Sequence, residues 1–462
     1  MKNIKAYRAI VLLFTFFILA STTAWAYGSK KSFSSITIND GLSNNTVFDI
    51  IQDNKGIIWV GTSDGLNKYD GSDIQSYRHD PENSNTLISN HIRVLSLSEE
   101  NLLIGTNIGL SIYNTRMNTF TNYLLHEQVN DIIIGTDARF YLITTNKVIL
   151  FDGEVLETVY ENPHLINQTA SLLEDDILLG TRSGLYRLNK TNRSLMPFDE
   201  RLNDKYIQRI ELGADGLWIA TEGSGLYFLG KEGSYKHYQH GSDDSQSLSS
   251  NYIRTIQFDA ENKLWIGTFN GLNILDVDSG HLESYHSSDV NRYSLNQNSV
   301  RSLYNDAQGG MWIGTYFGGI NYYHPLQNQF NRLSHIPNSN TLSDHVVSSI
   351  VEDEDGLIWI GTNDNGLNKY NPKTEQFSYF TKRAGGKGLK SNNIKTIITS
   401  GNYCYIGSHG GGVAQLERST GKITVYHKDN SQLISNNVYA LELDKKRNLL
   451  WIGTLNGLVS FD

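Results

Sequence analysis

The chain has 462 residues, with 39 Lys and Arg against 48 Asp and Glu, a net charge of -9, and basic residues that are scattered singly. This balance provides no basic stripe that could neutralise phosphates, so nucleic acid and anionic membrane surfaces are excluded as expected partners. The 41 glycines, 11% aromatic residues and only 6 prolines predict a β-rich chain with many tight turns.

The first 26 residues are predicted to be a signal peptide. Lys2, Lys5 and Arg8 form a positive segment, an apolar stretch runs from Ala9 to Ala20, and Ala24-Trp25-Ala26 has the small-x-small pattern of a cleavage site. A retained anchor is the alternative, and it is disfavoured because a membrane span needs about 20 apolar residues. We therefore expect a periplasmic or otherwise exported chain, cleaved after Ala26, with no membrane span in its mature part.

A short motif recurs along the rest of the chain and predicts its fold. Its full copies join an apolar residue, Trp, Val or Ile, Gly or Ala, and Thr, with the tryptophans at Trp59, Trp218, Trp265, Trp312, Trp359 and Trp451. Glycine follows two residues later at Gly61, Gly267, Gly314, Gly361 and Gly453, whereas weaker copies lack the tryptophan. The ten copies follow one another at steps of 36 to 47 residues, which is the length of one four-stranded propeller blade. We interpret the tryptophans as wedges between blades.

The predicted fold class is therefore all-β, a β-propeller array of about ten four-stranded blades. Most first strands are preceded by a Leu-x-x-Asn/His-x-Val/Ile signature, with Asn45, Asn90, Asn251, Asn298, His345, Asn392 and Asn436 at the same step. Because Asn readily bonds its own turn, we expect an architectural role for this position.

The two ends of the chain are out of phase with the blades. Ser34 to Asn39 resembles an outer strand, which would complete a blade from the far end of a ring and cover a sheet edge. Two arrangements are open: a seven-bladed propeller in residues 27–325 with three blades of a second, incomplete propeller in 326–462, or one ten-bladed ring. The break at His324-Pro325 favours the first arrangement.

The unit from Leu42 to Tyr69, which returns from Leu342 to Tyr370, resembles the two-component regulator propeller repeat, and the resemblance covers residues 33 to 462. It implies a periplasmic ligand-sensing region of a hybrid histidine kinase or related signalling protein, here truncated within the array. Many members resemble oligosaccharide sensors and act as dimers. The expected partners are therefore a small-molecule or oligosaccharide ligand and, in a full-length protein, a second copy.

Patterns for catalysis and metal binding are weak. The 13 histidines lack paired ligand spacing, so no metal site is expected, and no cofactor is predicted. Cys404, the single cysteine, lies in a strand-like run and is expected to be a buried, inert thiol. With no kinase segment, we expect no enzymatic activity. A glycan-cleaving propeller enzyme, which would need paired carboxylates or an arginine cluster at the ring centre, and an extracellular binding scaffold are the alternatives.

A ligand site is expected where loops surround the central channel. The loops before the first strand and between the second and third strands emerge on one face, and residues there that depart from the repeat are the candidates. Aromatic rings stack on sugars while charged groups bond hydroxyls, which favours a saccharide. The candidates are Asp64, Arg182, Glu222, Phe269, Tyr316, Phe317, Asp364 and His409, of which we favour Arg182, Tyr316, Phe317 and His409 as a set.

Overall fold

The computed structural model describes residues 31–462, without 137–138, 232, 242–245, 290, 292, 329–332 and 384–387. The predicted signal peptide and its cleavage site lie outside the described residues. The described strands form nine four-stranded sheets and one three-stranded sheet, all antiparallel. The predicted all-β propeller class is confirmed.

Each sheet is called a blade and numbered along the chain. Strand β1 is Ser34–Ile36, and the strands of the first four blades are β2 (Val47–Gln52), β3 (Ile58–Thr62), β4 (Gly65–Tyr69) and β5 (Ile74–Tyr77); β6 (Ile92–Ser98), β7 (Asn101–Thr106), β8 (Gly109–Asn114) and β9 (Thr119–Leu124); β10 (Val129–Ile134), β11 (Phe140–Thr144), β12 (Lys147–Phe151) and β13 (Leu156–Glu161); β14 (Asn167–Leu173), β15 (Asp176–Thr181), β16 (Gly184–Leu188) and β17 (Leu195–Pro197). Blades 5 to 7 contain β18 (Ile207–Gly213), β19 (Gly216–Thr221), β20 (Leu226–Gly230) and β21 (Tyr235–Tyr238); β22 (Ile253–Phe258), β23 (Lys263–Thr268), β24 (Gly271–Asp276) and β25 (Leu282–Tyr285); β26 (Val300–Asn305), β27 (Met311–Thr315) and β28 (Ile320–Tyr323) together with β1.

The last three blades contain β29 (Val347–Glu352), β30 (Ile358–Thr362), β31 (Leu367–Asn371) and β32 (Gln376–Phe380); β33 (Ile394–Ser400), β34 (Tyr403–Ser408), β35 (Gly412–Glu417) and β36 (Ile423–Tyr426); β37 (Val438–Asp444), β38 (Leu449–Thr454) and β39 (Gly457–Phe461). Short 3-10 helices span Ile38–Asp40, Glu200–Leu202 and Pro325–Asn328.

The chain divides into two compact units, Met1–Phe330 and Asn331–Asp462. In the first unit, the innermost strands β2, β6, β10, β14, β18, β22 and β26 contact one another in that order, and β26 contacts β2 again. These contacts close a ring of seven blades. In the second unit, β29 contacts β33, and β33 contacts β37. The division at residues 325 and 326 stays a prediction.

Strand β1 closes the first ring. It pairs antiparallel with β28, so that Ser34 lies opposite Tyr322 and Ile36 lies opposite Ile320. The preceding Phe33 is 3% exposed and belongs to the same apolar cluster as Trp265. The N-terminal strand thus completes blade 7 and covers an edge that would otherwise carry unpaired backbone groups.

The recurring Asp-x-x-Gly turn, in which Asn262 replaces the glycine in blade 6, forms one hydrogen-bonded unit with the motif tryptophan. Asp259 Oδ1 accepts from the backbone N–H groups of Glu261 and Lys263, while its Oδ2 accepts from Trp265 Nε1 at 2.7 Å. Trp265 packs against the next blade, where it shares an apolar cluster with Val300. Its side chain is 1% exposed. The same bond joins Asp53 to Trp59, Asp306 to Trp312 and Asp353 to Trp359. The acidic residue of the turn is therefore structural.

The motif glycine lets neighbouring blades approach closely. A Cβ on Gly267 would lie 2.6 Å from Cγ1 of Val300, the first residue of the next innermost strand, and 2.7 Å from Cγ2 of Thr255. In blade 10, the nearest atom to a Cβ on Gly453 would be Ala440 Cβ at 3.2 Å. The motif therefore has glycine at this position because a neighbouring blade approaches closely, and not because a turn requires its backbone conformation.

The signature asparagine joins two blades. Asn298 Oδ1 accepts from the N–H of Ser287 at 2.6 Å, and its backbone carbonyl accepts from the N–H of Gly271 at 2.8 Å, both in the preceding blade. Equivalent pairs of bonds are made by Asn45, Asn90, Asn251, Asn392 and Asn436. The expected architectural role is therefore observed, but the reason given for it was wrong, because the side chain bonds the neighbouring blade and not its own turn.

Candidate ligand-binding site

In six of the seven blades of the first ring, two loops lie side by side at one end of the blade. The N–H of the residue after the motif threonine donates to the carbonyl of a residue that precedes the innermost strand, over 2.9 to 3.3 Å. The pairs are Ser63 with Thr46, Asn107 with His91, Arg182 with Ile166, Glu222 with Tyr206, Phe269 with Tyr252, and Tyr316 with Ser299.

A β-bulge adds a further set of side chains at this end. The register of each innermost strand shifts at its second residue, so that two residues oppose one on the neighbouring strand. The bulged residues of the first ring are Phe48, Arg93, Asn130, Gln168, Gln208, Arg254 and Arg301. A bulge re-aims a side chain away from the regular alternation. We call these residues and the six loop pairs the rim.

Arginines from several blades converge at the rim. The guanidinium carbon of Arg93 in blade 2 lies 5.3 Å from the ring centre of Phe48 in blade 1, and that of Arg301 in blade 7 lies 4.2 Å from it. Arg301 also lies 5.3 Å from the ring of Tyr316, and Arg254 lies 5.8 Å from the ring of Phe269. These cation–π contacts hold three guanidinium groups beside aromatic rings, of which Phe269 and Tyr316 are exposed and Phe48 is half-buried.

The three bulged arginines of the rim form no salt bridge with a carboxylate in the described part of the chain, although Glu222 attracts Arg301 at longer range. Burial, followed by repulsion from Arg254 and Arg93, lowers the pKa of Arg301 to about 10, and burial also lowers the pKa of Arg93. Among the described residues, no carboxylate oxygen lies within 4.0 Å of a nitrogen of these three side chains. Nε of Arg254 is buried without a hydrogen-bond partner in the described part of the chain. At least one guanidinium donor at the rim is therefore unpaired among the described residues.

Amide groups occupy the neighbouring rim positions. Arg93 Nη2 donates to Asn130 Oδ1 at 3.5 Å, and Asn130 Nδ2 donates to the carbonyl of Asn167 at 2.9 Å. Gln208 Nε2 donates to Glu222, which is the one carboxylate among the rim positions. Amides can both donate to and accept from hydroxyl groups, so this part of the rim suits a polar, uncharged portion of a ligand.

Five of the predicted site residues lie in the first unit at or beside the rim. The rings of Tyr316 and Phe317 are 4.2 Å apart, and Phe317 and Phe269 are 65% and 57% exposed. The Arg182 guanidinium carbon lies 5.3 Å from the ring of Tyr206, and Glu222 is bonded to Gln208 as described. The aromatic predictions thus fall beside the arginine group.

The other three predicted residues are placed differently. Asp64 is engaged by Arg78 Nε and Asn90 Nδ2, both at 3.2 Å, so its carboxylate already has structural partners. Asp364 and His409 belong to the second unit. Asp364 is exposed and its N–H donates to Asp344 at 2.9 Å, whereas the ring of His409 lies 6.4 Å from that of Tyr439.

The bulged arginines were missed by sequence reasoning, although a signal for them exists. Each follows the apolar residue that ends the Leu-x-x-Asn-x-Val/Ile signature, as in Ile92-Arg93, Ile253-Arg254 and Val300-Arg301. Comparison of that one position among the copies would have shown three arginines in the first seven blades. A regular strand would have placed this residue on a face between blades, and only the bulge brings it to the rim.

A second group of charges lies one residue further along the innermost strands. Asp49 accepts from the N–H of Leu95 in the next blade at 2.8 Å, and Asp131 likewise accepts from Ala170 at 3.0 Å. Arg209 Nη1 lies 3.9 Å from Asp131 Oδ2. Burial raises the pKa of Asp49 to about 6, although bonds from Leu95 and attraction to Arg209 oppose this.

We expect Asp49→Asn to make stability less dependent on pH. Because the folded pKa is above the unfolded value of about 3.9, the folded state binds the proton more tightly, so stability is lost as pH rises from about 4 to 6. The Asn keeps the oxygen that bonds Leu95 but does not ionise. Relative to the parent, the variant should gain about 2 kcal/mol of stability between pH 4 and 7, which a rise in its relative melting temperature would show. A relative fall would show that attraction to Arg209 outweighs burial.

Other kinds of site find no support in the described residues. No group of three or more His, Cys, Asp or Glu side chains is placed to hold a metal ion there. Cys404 is buried and unpaired, and burial raises the pKa of its thiol. Within the part of the chain that the structure describes, no helix has the length and apolar character of a membrane span.

Four segments, residues 41–64, 247–270, 294–317 and 341–364, match the Two component regulator propeller family. An 87-residue part is 44% identical to histidine kinase P4 of Formosa agariphila, over 19% of this chain and 6% of that protein. The fold is similar to that of the extracellular domain of a hybrid two component system from B. thetaiotaomicron, at 24% identity and a TM-score of 0.67, over 93% of this chain and 65% of that one. A streptogramin B lyase shares the fold at 12% identity and a TM-score of 0.51, over 63% of this chain and 98% of the lyase. The chain thus spans a small part of the curated kinase and less than two thirds of the solved extracellular domain.

Proposed function

Since the chain carries two-component regulator propeller repeats, we propose that it is the periplasmic ligand-sensing region of a two-component signalling protein and that it recognises an oligosaccharide. The signal-input role is supported by the repeats and by the likeness to a hybrid two component system. The proposed output lies in other modules of a longer protein, where a second copy is the expected partner.

The observation that carries this proposal is the combination of groups at the rim. Exposed aromatic rings at Phe269 and Phe317 lie at or beside the same rim that carries guanidinium groups, as at Arg254, and amide groups, as at Asn130. Sugar rings present apolar faces and hydroxyl edges, which such a combination can bind together. Because the turn aspartates are committed to tryptophans, as at Asp259, they are not available as a catalytic pair.

Ligand binding should raise the melting temperature of the purified chain in one or a few members of an oligosaccharide panel. At a ligand concentration 100 times the Kd, binding to the folded state alone adds about 2.7 kcal/mol to its stability. Replacement of both Phe269 and Phe317 by Ala should remove most of the shift. Met117→Ala, at a side chain that is 72% exposed in the turn between β8 and β9, is the matched control.

Analysis of the glycan after incubation with the chain distinguishes the candidate functions. A shift with the glycan recovered intact supports a sensor, whereas cleavage of the glycan during incubation would favour the propeller enzyme. If no oligosaccharide changed the melting temperature of a chain that melts in a normal transition, oligosaccharide sensing would be contradicted. The extracellular binding scaffold would then be the remaining candidate function. A shift that survives in the Phe269 and Phe317 variant would move the site away from the rim.

A further inference from the structure

We propose that the rim of the first ring binds a negatively charged group, and that the sensed ligand is an acidic saccharide carrying a carboxylate or a sulfate. The ligand class rests on the proposed sensing function, whereas the anion site rests on the structure of the rim alone. Neither the repeat motif nor the blade contacts require arginine at these positions, since the bulged residues of the other blades are Phe48, Asn130, Gln168 and Gln208.

The charge at the rim is opposite to that of the chain. The chain has a net charge of -9, yet the rim positions hold four arginines, Arg93, Arg182, Arg254 and Arg301, against the single carboxylate of Glu222. Like charges held together in a partly buried site repel one another, so this arrangement is costly without an anion. A cluster that lowers stability and is not required by the fold is typical of a binding site.

The guanidinium groups of Arg93, Arg254 and Arg301 are chemically suited to bind an oxyanion. Guanidinium presents its N–H donors in a planar fork that matches the two oxygens of a carboxylate or the oxygens of a sulfate. Arg254 has a buried donor with no partner among the described atoms, and Arg301 is held over Phe48 and Tyr316 rather than by an acid. Aromatic rings orient a guanidinium while leaving its edge donors available.

A purely structural role is the competing explanation. If Arg93 and Arg301 served mainly to pack on Phe48, removing one of them should lower the stability of the chain without ligand. If they form an anion site, the conversion of Arg301 to Gln should relieve repulsion from Arg254 and Arg93 and raise the melting temperature in a chloride buffer. The two explanations therefore predict opposite signs.

The test uses the full chain, the variants R301Q and R254Q, and R116Q as the matched control. Arg116 is 74% exposed and lies in the turn between β8 and β9, 3.8 Å from Glu100. Melting is followed in sodium sulfate and in sodium chloride of equal ionic strength. Sulfate should raise the melting temperature of the parent and of R116Q beyond its general salting-out effect, and this excess should disappear in R301Q and R254Q. An equal excess in all four proteins would overturn the anion site.

The ligand class is tested by titration with trigalacturonate and with its methyl ester, which is the same sugar without charge. We expect the acid to bind more tightly and each arginine change to weaken its binding by about ten- to a hundredfold. Binding of the ester but not the acid would overturn the anionic preference while leaving oligosaccharide sensing intact. A sulfate response with no binding of either sugar, or of any acidic oligosaccharide in the panel, would keep the anion site and overturn the acidic saccharide as its ligand.

Discussion

Trp265→Ala should lower the free energy of unfolding of the first ring by about 3–5 kcal/mol, the range measured for removal of a large aromatic side chain from a core. The indole is 1% exposed, packs with Val300 and Met311 of the next blade, and lies 5.5 Å from the ring of Tyr323. Its removal also leaves Oδ2 of Asp259 without its donor, which adds to the loss. Urea unfolding followed by far-ultraviolet circular dichroism measures the change.

Trp451→Ala is the matched control for this prediction. Trp451 occupies the same position of the motif in blade 10 but is only partly buried. We expect a loss of about 1–2 kcal/mol there, since less apolar surface leaves water on folding. Equal losses at the two positions would show that the tryptophan acts within its own blade and not as a contact between blades.

Phe33→Ala should open the first ring at blade 7. The side chain is 3% exposed and its ring lies 5.7 Å from Tyr285 and 6.2 Å from Tyr323, so a loss of about 3 kcal/mol or more is expected. Phe33 directly precedes β1, which is joined to β28 over only Ser34–Ile36. Hydrogen exchange of the amides in β28 should therefore accelerate by about a hundredfold.

Phe120→Ala serves as the comparison, because Phe120 is an aromatic residue of the outer strand β9, in a blade built from consecutive strands. That change removes contacts with Tyr77 and Tyr113 but should leave exchange in β28 unaltered. If Phe33→Ala accelerated exchange uniformly over all seven blades, β1 would be an integral part of the ring and not a separable closure.

The architecture could be predicted from the sequence because its determinants recur. Trp265 and Gly267 are required by contact with the next blade, and the same contact returns at Trp312 and Gly314. Because the same residues recur in successive blades, their positions cannot be a coincidence of composition. The role of Asn298 was harder to predict, since its partners Ser287 and Gly271 lie in another blade and no local rule connects them.

The candidate site could be predicted only in part. Loop position made Phe269 and Tyr316 candidates, and in the structure they lie beside Arg254 and Arg301. The arginines themselves were hidden, because alternation in a regular strand does not bring the residue after Val300 to the rim. A bulge is invisible in the hydrophobic pattern of one strand, whereas the repeated register shift is plain in the structure.

The fact that β1 pairs with β28 also sets an order of events during synthesis. Ser34 and Tyr322 are 288 residues apart in the chain. At about 5–20 residues per second, the ribosome needs on the order of 15–60 s to make the partner after the first strand has emerged. Blades 1 to 6 consist of consecutive strands, whereas blade 7 needs β1 together with β26 to β28, so the ring cannot close before β28 is available. Closure therefore comes last in chain order, and until it occurs the outer edge of β28 is open to pairing with other chains.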